Sequence, residues 1–155
     1  MDTALVPLFL LVPACLFASW SDVSRRVIPN WLCAVVALAG LGVAIWTGGL
    51  EALGWHALHM VIALLVGMVL FRFGMLGGGD AKFYAACAAW FTLSQAGSLL
   101  LMVSLCGLGL FAVWFAVRRA MHKPIRMKPQ DNFDRLPYGI AIAAGTVIAM
   151  LSNGS

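Results

Sequence analysis

The chain has 155 residues, of which 63% are hydrophobic and only 10% charged, and its mean hydropathy is +0.96. A soluble domain of this length could not bury so many apolar side chains, because a small fold has a large surface for its volume. The composition therefore excludes a soluble domain and predicts an all-α, polytopic bundle of membrane helices. The net charge of +4 does not indicate nucleic acid as a partner, because the basic residues are few and lie near the ends of apolar runs.

About six transmembrane helices are predicted, since each needs ~20 apolar residues to cross ~30 Å of hydrocarbon. The uncharged stretch from Phe83 to Val117 is too long for one crossing, so a turn is placed in the polar cluster from Thr92 to Ser98. The fourth span is short, which puts Asp80 in a recess of the membrane surface. In chain order the predicted spans cover residues 4–20, 31–46, 58–73, 80–93, 99–117 and 138–151.

The spans leave no room for a separate soluble domain, so residues 1–155 are expected to form one transmembrane domain. All ten Lys and Arg residues fall on one side of these spans, and the outer loop near Glu51 has none. By the positive-inside rule, the basic side is cytoplasmic and both termini face outward. The loop from Arg118 to Arg135 contains Pro124 and Pro129 and is expected to hold this topology and to touch anionic lipid.

No metal or other cofactor is predicted. His56 and His59 could share one side of a helix, but without a third ligand they are interpreted as interfacial residues. The cysteines all lie inside apolar runs, and none has the CxxC spacing of a structural zinc or redox site. They are therefore interpreted as small buried residues rather than as disulfides: Cys15, Cys33, Cys87 and Cys106.

The strongest functional signal is a pair of aspartates at the ends of two long apolar runs, Asp22 and Asp80. Carboxylates are costly at membrane depth, and the chain has only six acidic residues, so these two are predicted to be catalytic. A helical hairpin separates them in sequence, which returns the chain to the cytoplasmic face. Two neighbouring carboxyl groups share a proton, so one activates water while the other donates to a scissile carbonyl. We expect Asp80 to be the protonated partner.

Several residues near the aspartates have two interpretations each. Gly77, Gly78 and Gly79 allow unusual dihedral angles and close approach of a substrate backbone, or form a flexible turn. Lys82 can tune the carboxyl groups or extend toward lipid headgroups. Arg26 is explained first by topology. The segment Pro137-Tyr138-Gly139 positions the last span near the aspartates, or is an ordinary helix start with an interfacial tyrosine.

These motifs together resemble a known family. Three motifs are similar in order and spacing to those of short prepilin peptidases of the Tad and Cpa type. They are Asp22 followed by Arg26 and Ile28-Pro29-Asn30, then Gly77-x-Gly79-Asp80 with Lys82, then Pro137-Tyr138-Gly139. These are GxGD aspartyl proteases of the bacterial inner membrane.

The resemblance implies catalytic roles for Asp22 and Asp80, with Gly77 to Gly79, Arg26, Lys82 and Pro137 to Gly139 as substrate-binding or site-shaping residues. The implied substrate is a prepilin or pseudopilin of a type IV or Tad pilus, cut at the cytoplasmic membrane face after a short basic leader ending in glycine. Larger members of the family also carry a cytoplasmic tetracysteine zinc domain and methylate the new terminus. Here the loop from Val23 to Asn30 is too short for that domain, so methyltransferase activity is not expected.

The alternative is a noncatalytic protein, a small transporter or a pilus-assembly subunit, in which Asp22 and Asp80 bind a proton or a cation. A transporter more often places its carboxylates near the bilayer midplane and shows inverted repeats. Both aspartates map to one membrane surface here, and the two halves show no repeat, so the sequence favours the peptidase.

Overall fold

The computed structural model describes residues 5–120 and 136–153, and the regular secondary structure of this part of the chain is helical, without a strand. A 3-10 turn, Leu93–Gln95, precedes the fourth helix. The predicted all-α fold is therefore confirmed for the described residues. The five α-helices are α1 (Leu5–Arg25), α2 (Asn30–Arg72), α3 (Gly78–Ala88), α4 (Ala96–Ala120) and α5 (Tyr138–Asn153).

Three helical segments of the described part are long and apolar enough to cross a membrane. These are Val6–Arg25, Asn30–Arg72 and Leu93–Ala120, while α5 is a shorter apolar helix. The interpretation of the loop from Arg118 to Arg135 lies mostly outside the described residues, because residues 121–135 are not among them.

Helix α2 consists of two helices joined at Gly49, whose φ of 65° and ψ of −154° are not helical. Its 43 residues would extend ~64 Å if straight, about twice the hydrocarbon thickness of a bilayer. Both halves lie against the C-terminal end of α3. Trp90 Nε1 donates to the Val36 carbonyl at 3.0 Å, and His56 Nδ1 lies 2.9 Å from the Ala89 carbonyl oxygen.

The N-terminal end of α3 also contacts both halves of α2. Lys82 Nζ donates to Asn30 Oδ1 at 3.1 Å, and a Cβ placed on Gly67 would lie 3.0 Å from the Ala81 Cβ. Since both ends of α3 touch both halves, α2 is a helical hairpin that reverses at Gly49. The hairpin returns the chain to the end of the bundle at which it began.

Helix α3 is shorter than the fourth predicted span, because it ends at Ala88 rather than near residue 93. Two histidines in the second half of α2 bind backbone carbonyls that follow the C-terminal end of α3. His56 binds the Ala89 carbonyl, and His59 Nδ1 lies 3.1 Å from the Phe91 carbonyl oxygen. His59 is buried, so its interpretation as an interfacial residue is wrong. A helix that ends inside a membrane protein needs such partners for its last carbonyls.

The predicted turn after α3 is found at its expected place. Thr92 and Gln95 form a capping box, in which the Thr92 backbone N–H donates to Gln95 Oε1 at 3.0 Å, and α4 follows at Ala96. A capping box satisfies amide groups at a helix start, which explains why the only polar cluster in this stretch forms the turn.

Small residues let the helices pack closely around α3. A Cβ on Gly40 would lie 2.9 Å from the Trp90 ring, and a Cβ on Gly145 would lie 2.5 Å from the Val103 Cα. Cys87 is fully buried in α3 and belongs to the same core cluster as Cys15 of α1. Close approach of this kind is the usual source of helix association in membranes.

Candidate active site

Asp22 lies in the last turn of α1, just before a sharply defined helix end. The Arg26 backbone N–H donates to the Asp22 carbonyl at 3.1 Å, and Arg26 has a φ of 54°. This is the left-handed C-cap that usually carries glycine. Ser21 Oγ then donates to the Val27 carbonyl at 2.7 Å, which fixes the turn against the helix. The helix must end here, because Pro29 disfavours helical geometry at the residue before it.

Asp80 lies in the first turn of α3, outside the three candidate membrane-spanning segments. Gly77 is the N-cap residue of α3, and its backbone amide lies near the Asp80 carboxyl group. The contact is close: a Cβ on Gly77 would lie 2.6 Å from Asp80 Oδ2.

The glycines before Asp80 do not adopt unusual dihedral angles, so that part of the prediction is wrong. Gly77 is extended, with φ −70°, whereas Gly78 and Gly79 belong to the helix. Among the described glycines, positive φ angles occur at Gly49 and Gly74. Gly78 and Gly79 start α3, whereas Gly77 ends the turn that joins α2 to α3. What requires glycine at position 77 is the close approach of the Asp80 carboxyl group.

The first turn of α5 contacts Asp22 from the other side of the site. The Gly139 backbone N–H donates to Asp22 Oδ2 at 2.8 Å, and a Cβ on Gly139 would lie 2.7 Å from that oxygen. Pro137 precedes the helix, and its carbonyl accepts from the Ile140 N–H at 3.3 Å. Of the two interpretations of Pro137-Tyr138-Gly139, the geometry agrees with the one that positions the last helix at the aspartates.

Asp22 and Asp80 line one open cleft of about 1140 Å³, together with Arg25, Arg26 and Tyr138. Of the remaining predicted site residues, some line the cleft and others do not. Gly77, Gly78 and Gly79 line it. Lys82, Pro137 and Gly139 are not among its lining residues; Lys82 instead joins α3 to the start of α2 through Asn30.

One apolar wall of the cleft was missed by sequence reasoning. Its residues come from the end of α2 and the turn that follows: Leu70, Phe71, Met75 and Leu76. Their position on both sides of Arg72, where a span meets the membrane surface, was the only available signal. Ile28 was quoted only as part of a motif, yet it is buried and lies 3.7 Å from the Cβ position of Gly79.

The two carboxyl groups share the cleft but have different charged neighbours. Burial, followed by the charge of Asp22, raises the pKa of Asp80 to about 6, although the Gly77 amide acts in the opposite direction. Asp22 is 7% exposed and interacts with the Arg26 guanidinium as well as the Gly139 amide. One protonated and one ionised carboxyl group in a single cleft can serve as acid and base.

The described residues contain no cluster of three or more His, Cys, Asp or Glu side chains able to hold a metal ion. The cleft is thus built from two carboxyl groups, two arginines, a tyrosine, backbone amides and apolar side chains.

Fold and cleft together describe a membrane-helix bundle with paired carboxyl groups at one end. The chain matches the type IV leader peptidase family over residues 9–112 and belongs to that family. This confirms the resemblance to prepilin peptidases and makes the protein a peptidase of the leader peptidase kind. The matched range includes Asp22 and Asp80 but not Pro137 to Gly139. Neither a curated protein nor a solved structure matches the chain.

Proposed function

We propose that this protein is a prepilin peptidase of the Tad and Cpa type, an aspartyl endopeptidase that uses Asp22 and Asp80 as its catalytic pair. The observation that carries the proposal is that the two carboxyl groups line the same cleft and interact electrostatically. The family assignment favours this function over the noncatalytic transporter or assembly subunit.

The chemistry requires only the two carboxyl groups and a water molecule. The ionised carboxylate takes a proton from water as the water oxygen bonds to the scissile carbonyl carbon, while the protonated carboxyl donates its proton to the carbonyl oxygen. When the tetrahedral intermediate collapses, the C–N bond breaks. The leaving amine takes the proton from the first carboxyl group, and the intermediate's hydroxyl returns a proton to the second.

We propose that the reaction takes place at the cytoplasmic face of the bacterial inner membrane and that the chain crosses the membrane about six times. All Lys and Arg residues lie on the side of the predicted spans that carries the cleft. The hairpin of α2 supports two crossings within one continuous helical segment, and the remaining crossings correspond to α1, α3 with the turn after it, α4 and α5.

The proposed substrate is a prepilin or pseudopilin with a basic leader that ends in glycine. A small residue at the cut site suits a cleft in which the backbone of Gly77 to Gly79 lines the wall beside Asp80. The apolar wall of Leu70, Phe71, Met75 and Leu76 suits the apolar helix that follows the cut site in such substrates.

We further propose that the chain forms a single peptidase domain without methyltransferase activity. Only residues 26–29 separate α1 from α2, which leaves no space there for a cytoplasmic zinc domain.

The test is cleavage of a purified prepilin by the protein reconstituted in lipid vesicles. We expect one cut after the glycine and a new terminus without a methyl group, even when a methyl donor is supplied, both measured by mass spectrometry. A prepilin in which that glycine is replaced by valine is the matched control and should stay intact. Failure of the folded protein to cut the unmodified prepilin would contradict the proposed activity, and a methylated product would contradict the single function.

A further inference from the structure

The contact between α5 and Asp22 gives the aspartate a hydrogen-bond donor that is distant from it in sequence. Gly139 is the second residue of α5, so its amide has no acceptor within its own helix. It donates instead to Asp22 Oδ2 at 2.8 Å, in a buried position. The positive end of the helix dipole points toward the same carboxyl group. Both effects are stronger for an anion than for a neutral carboxyl group.

Asp80 has a different set of partners. The Gly77 amide lies near its carboxyl group, but its charged neighbour is the carboxylate of Asp22. Asp22 has the Arg26 guanidinium as its charged neighbour in addition to the Gly139 amide. The titratable and charged groups that share the cleft with Asp22 in the described residues are Arg25, Arg26, Asp80 and Tyr138. Burial disfavours the charged form of both carboxyl groups, but Asp22 has a cation and a buried hydrogen-bond donor that offset it, so negative charge is less costly on Asp22 than on Asp80.

We infer that the Gly139 amide holds Asp22 in its ionised form, so that Asp22 is the base of the proposed pair and Asp80 the acid. Gly139 is a positioning residue, since it acts on the reaction through Asp22. The inference rests on the proposed function for its chemistry, but the charge state of Asp22 can be measured without any cleavage.

Glycine is needed at position 139 because the carboxyl group lies so close. An alanine Cβ would be 2.7 Å from Asp22 Oδ2 and would push the carboxylate away from the amide. Ala144, on the same helix, offers a control because its side chain is exposed. Ala144→Ser therefore changes α5 without moving the helix or touching the carboxyl group.

The experiment is carbodiimide labelling of the purified full-length protein in detergent over a pH series, with mass spectrometry of each aspartate. Dicyclohexylcarbodiimide reacts with protonated carboxyl groups, so the pH at which labelling falls to half reports the charge state. In the unaltered protein, we expect the midpoint for Asp80 to lie above that for Asp22. In Gly139→Ala, the Asp22 midpoint should rise by about one to two pH units, because a charge-assisted hydrogen bond is lost. Ala144→Ser should leave both midpoints in place.

Three results would overturn the inference: an Asp22 midpoint at or above that of Asp80 in the unaltered protein, an unchanged Asp22 midpoint in Gly139→Ala, or an equal shift in Ala144→Ser. The first comparison needs no variant, so it stands even if Gly139→Ala does not fold. Because labelling needs no substrate, absence of prepilin cleavage would reject the proposed function and leave this measurement to decide the charge state.

Discussion

Each carboxyl group in the cleft lies against a glycine at the start of a helix. Asp80 lies beside Gly77, the N-cap residue of its own helix, and Asp22 accepts the Gly139 amide of α5. In both places a side chain at the glycine position would collide with the carboxyl oxygen, at 2.6 Å for Gly77 and 2.7 Å for Gly139. Glycine therefore serves close approach here, and its conformational freedom is not used.

The first prediction separates the roles of two glycines before Asp80. Gly77→Ala should lower prepilin cleavage at least tenfold, because its Cβ displaces the Asp80 carboxyl group. Gly79→Ala is the matched control and should be tolerated, since its Cβ would make an ordinary contact of 3.7 Å with Ile28. Rates measured under identical conditions on both purified variants provide the comparison. Equal loss in the two variants would show that the close contact at Gly77 does not matter.

The second prediction concerns pH. Asp80, with its pKa raised to about 6, must be protonated to act as an acid, so kcat/KM should fall as the pH rises above about 6. It should also fall at low pH, where the base becomes protonated, giving a bell-shaped profile whose two limbs belong to the pair. Bound substrate excludes water, which raises the pKa of Asp80 further and moves the alkaline limb of kcat to higher pH. A kcat/KM that stays flat from pH 6 to alkaline values would disagree with this account.

At the scale of helices, the relative direction of α1 and α3 determines whether Asp22 and Asp80 lie at the same end of the bundle. Cys15 lies about two turns before Asp22, and Cys87 lies about two turns after Asp80, so each cysteine shares a helix face with its aspartate. The two cysteines come together in one buried core cluster, where their side chains interact. The helices therefore run in opposite directions with both aspartates at one end.

The third prediction follows from this contact. In a protein whose Cys33 and Cys106 are replaced by alanine, mild oxidation without substrate should join Cys15 to Cys87, as seen by a mobility shift that reductant reverses. Variants that retain only one of the two cysteines are the controls and should show no shift. If the folded protein does not form the crosslink, α1 and α3 are not packed together before substrate binds, and the aspartates are assembled only in the complex.

The helix ends show how far sequence reasoning reaches. The starts of α2 at Asn30 and α5 at Tyr138 follow the prolines that predicted them, and the turn at Thr92 follows its polar cluster. The early end of α3 could not be predicted, because it depends on His56 and His59, which are distant in sequence and bind the carbonyls after the helix. The Gly139 contact with Asp22 is equally nonlocal, so the sequence indicated that α5 lies near the aspartates but not which atom meets them.

At the scale of the whole molecule, the hairpin of α2 explains how a short chain places two distant aspartates in one cleft. Both halves of α2 lie along α3, from Asn30 and Lys82 at one end to Val36 and Trp90 at the other. A second cavity of about 480 Å³ lies at the end opposite to the aspartates, and His56, Trp90 and Thr92 are among its lining residues. The bundle is therefore polarised, with the arginines and aspartates of the cleft at one end.

The fourth prediction tests which end faces the cytoplasm. Single cysteines introduced between Arg118 and Arg135, in a protein without its native cysteines, should be protected from membrane-impermeant thiol reagents in intact cells. Cysteines placed beside Glu51 should be labelled. The expectation follows from the distribution of Lys and Arg, which all fall on one side of the predicted spans. The opposite labelling pattern would place the cleft outside the cytoplasm, where a prepilin leader does not reach it.

The central claim, that Asp22 and Asp80 form a catalytic pair, is tested most directly by replacing each with asparagine. The measurement is single-turnover cleavage of a prepilin by each purified variant in lipid vesicles, with Glu51→Gln as a control that removes an exposed carboxyl group elsewhere. An amide can neither accept a proton from water nor donate one to the carbonyl oxygen as a carboxyl group does. We therefore expect Asp22→Asn and Asp80→Asn each to lower the rate by about a hundredfold to ten-thousandfold while both still fold and insert, and Glu51→Gln to leave it unchanged. Cleavage by either asparagine variant at the rate of the unaltered protein would contradict the claim.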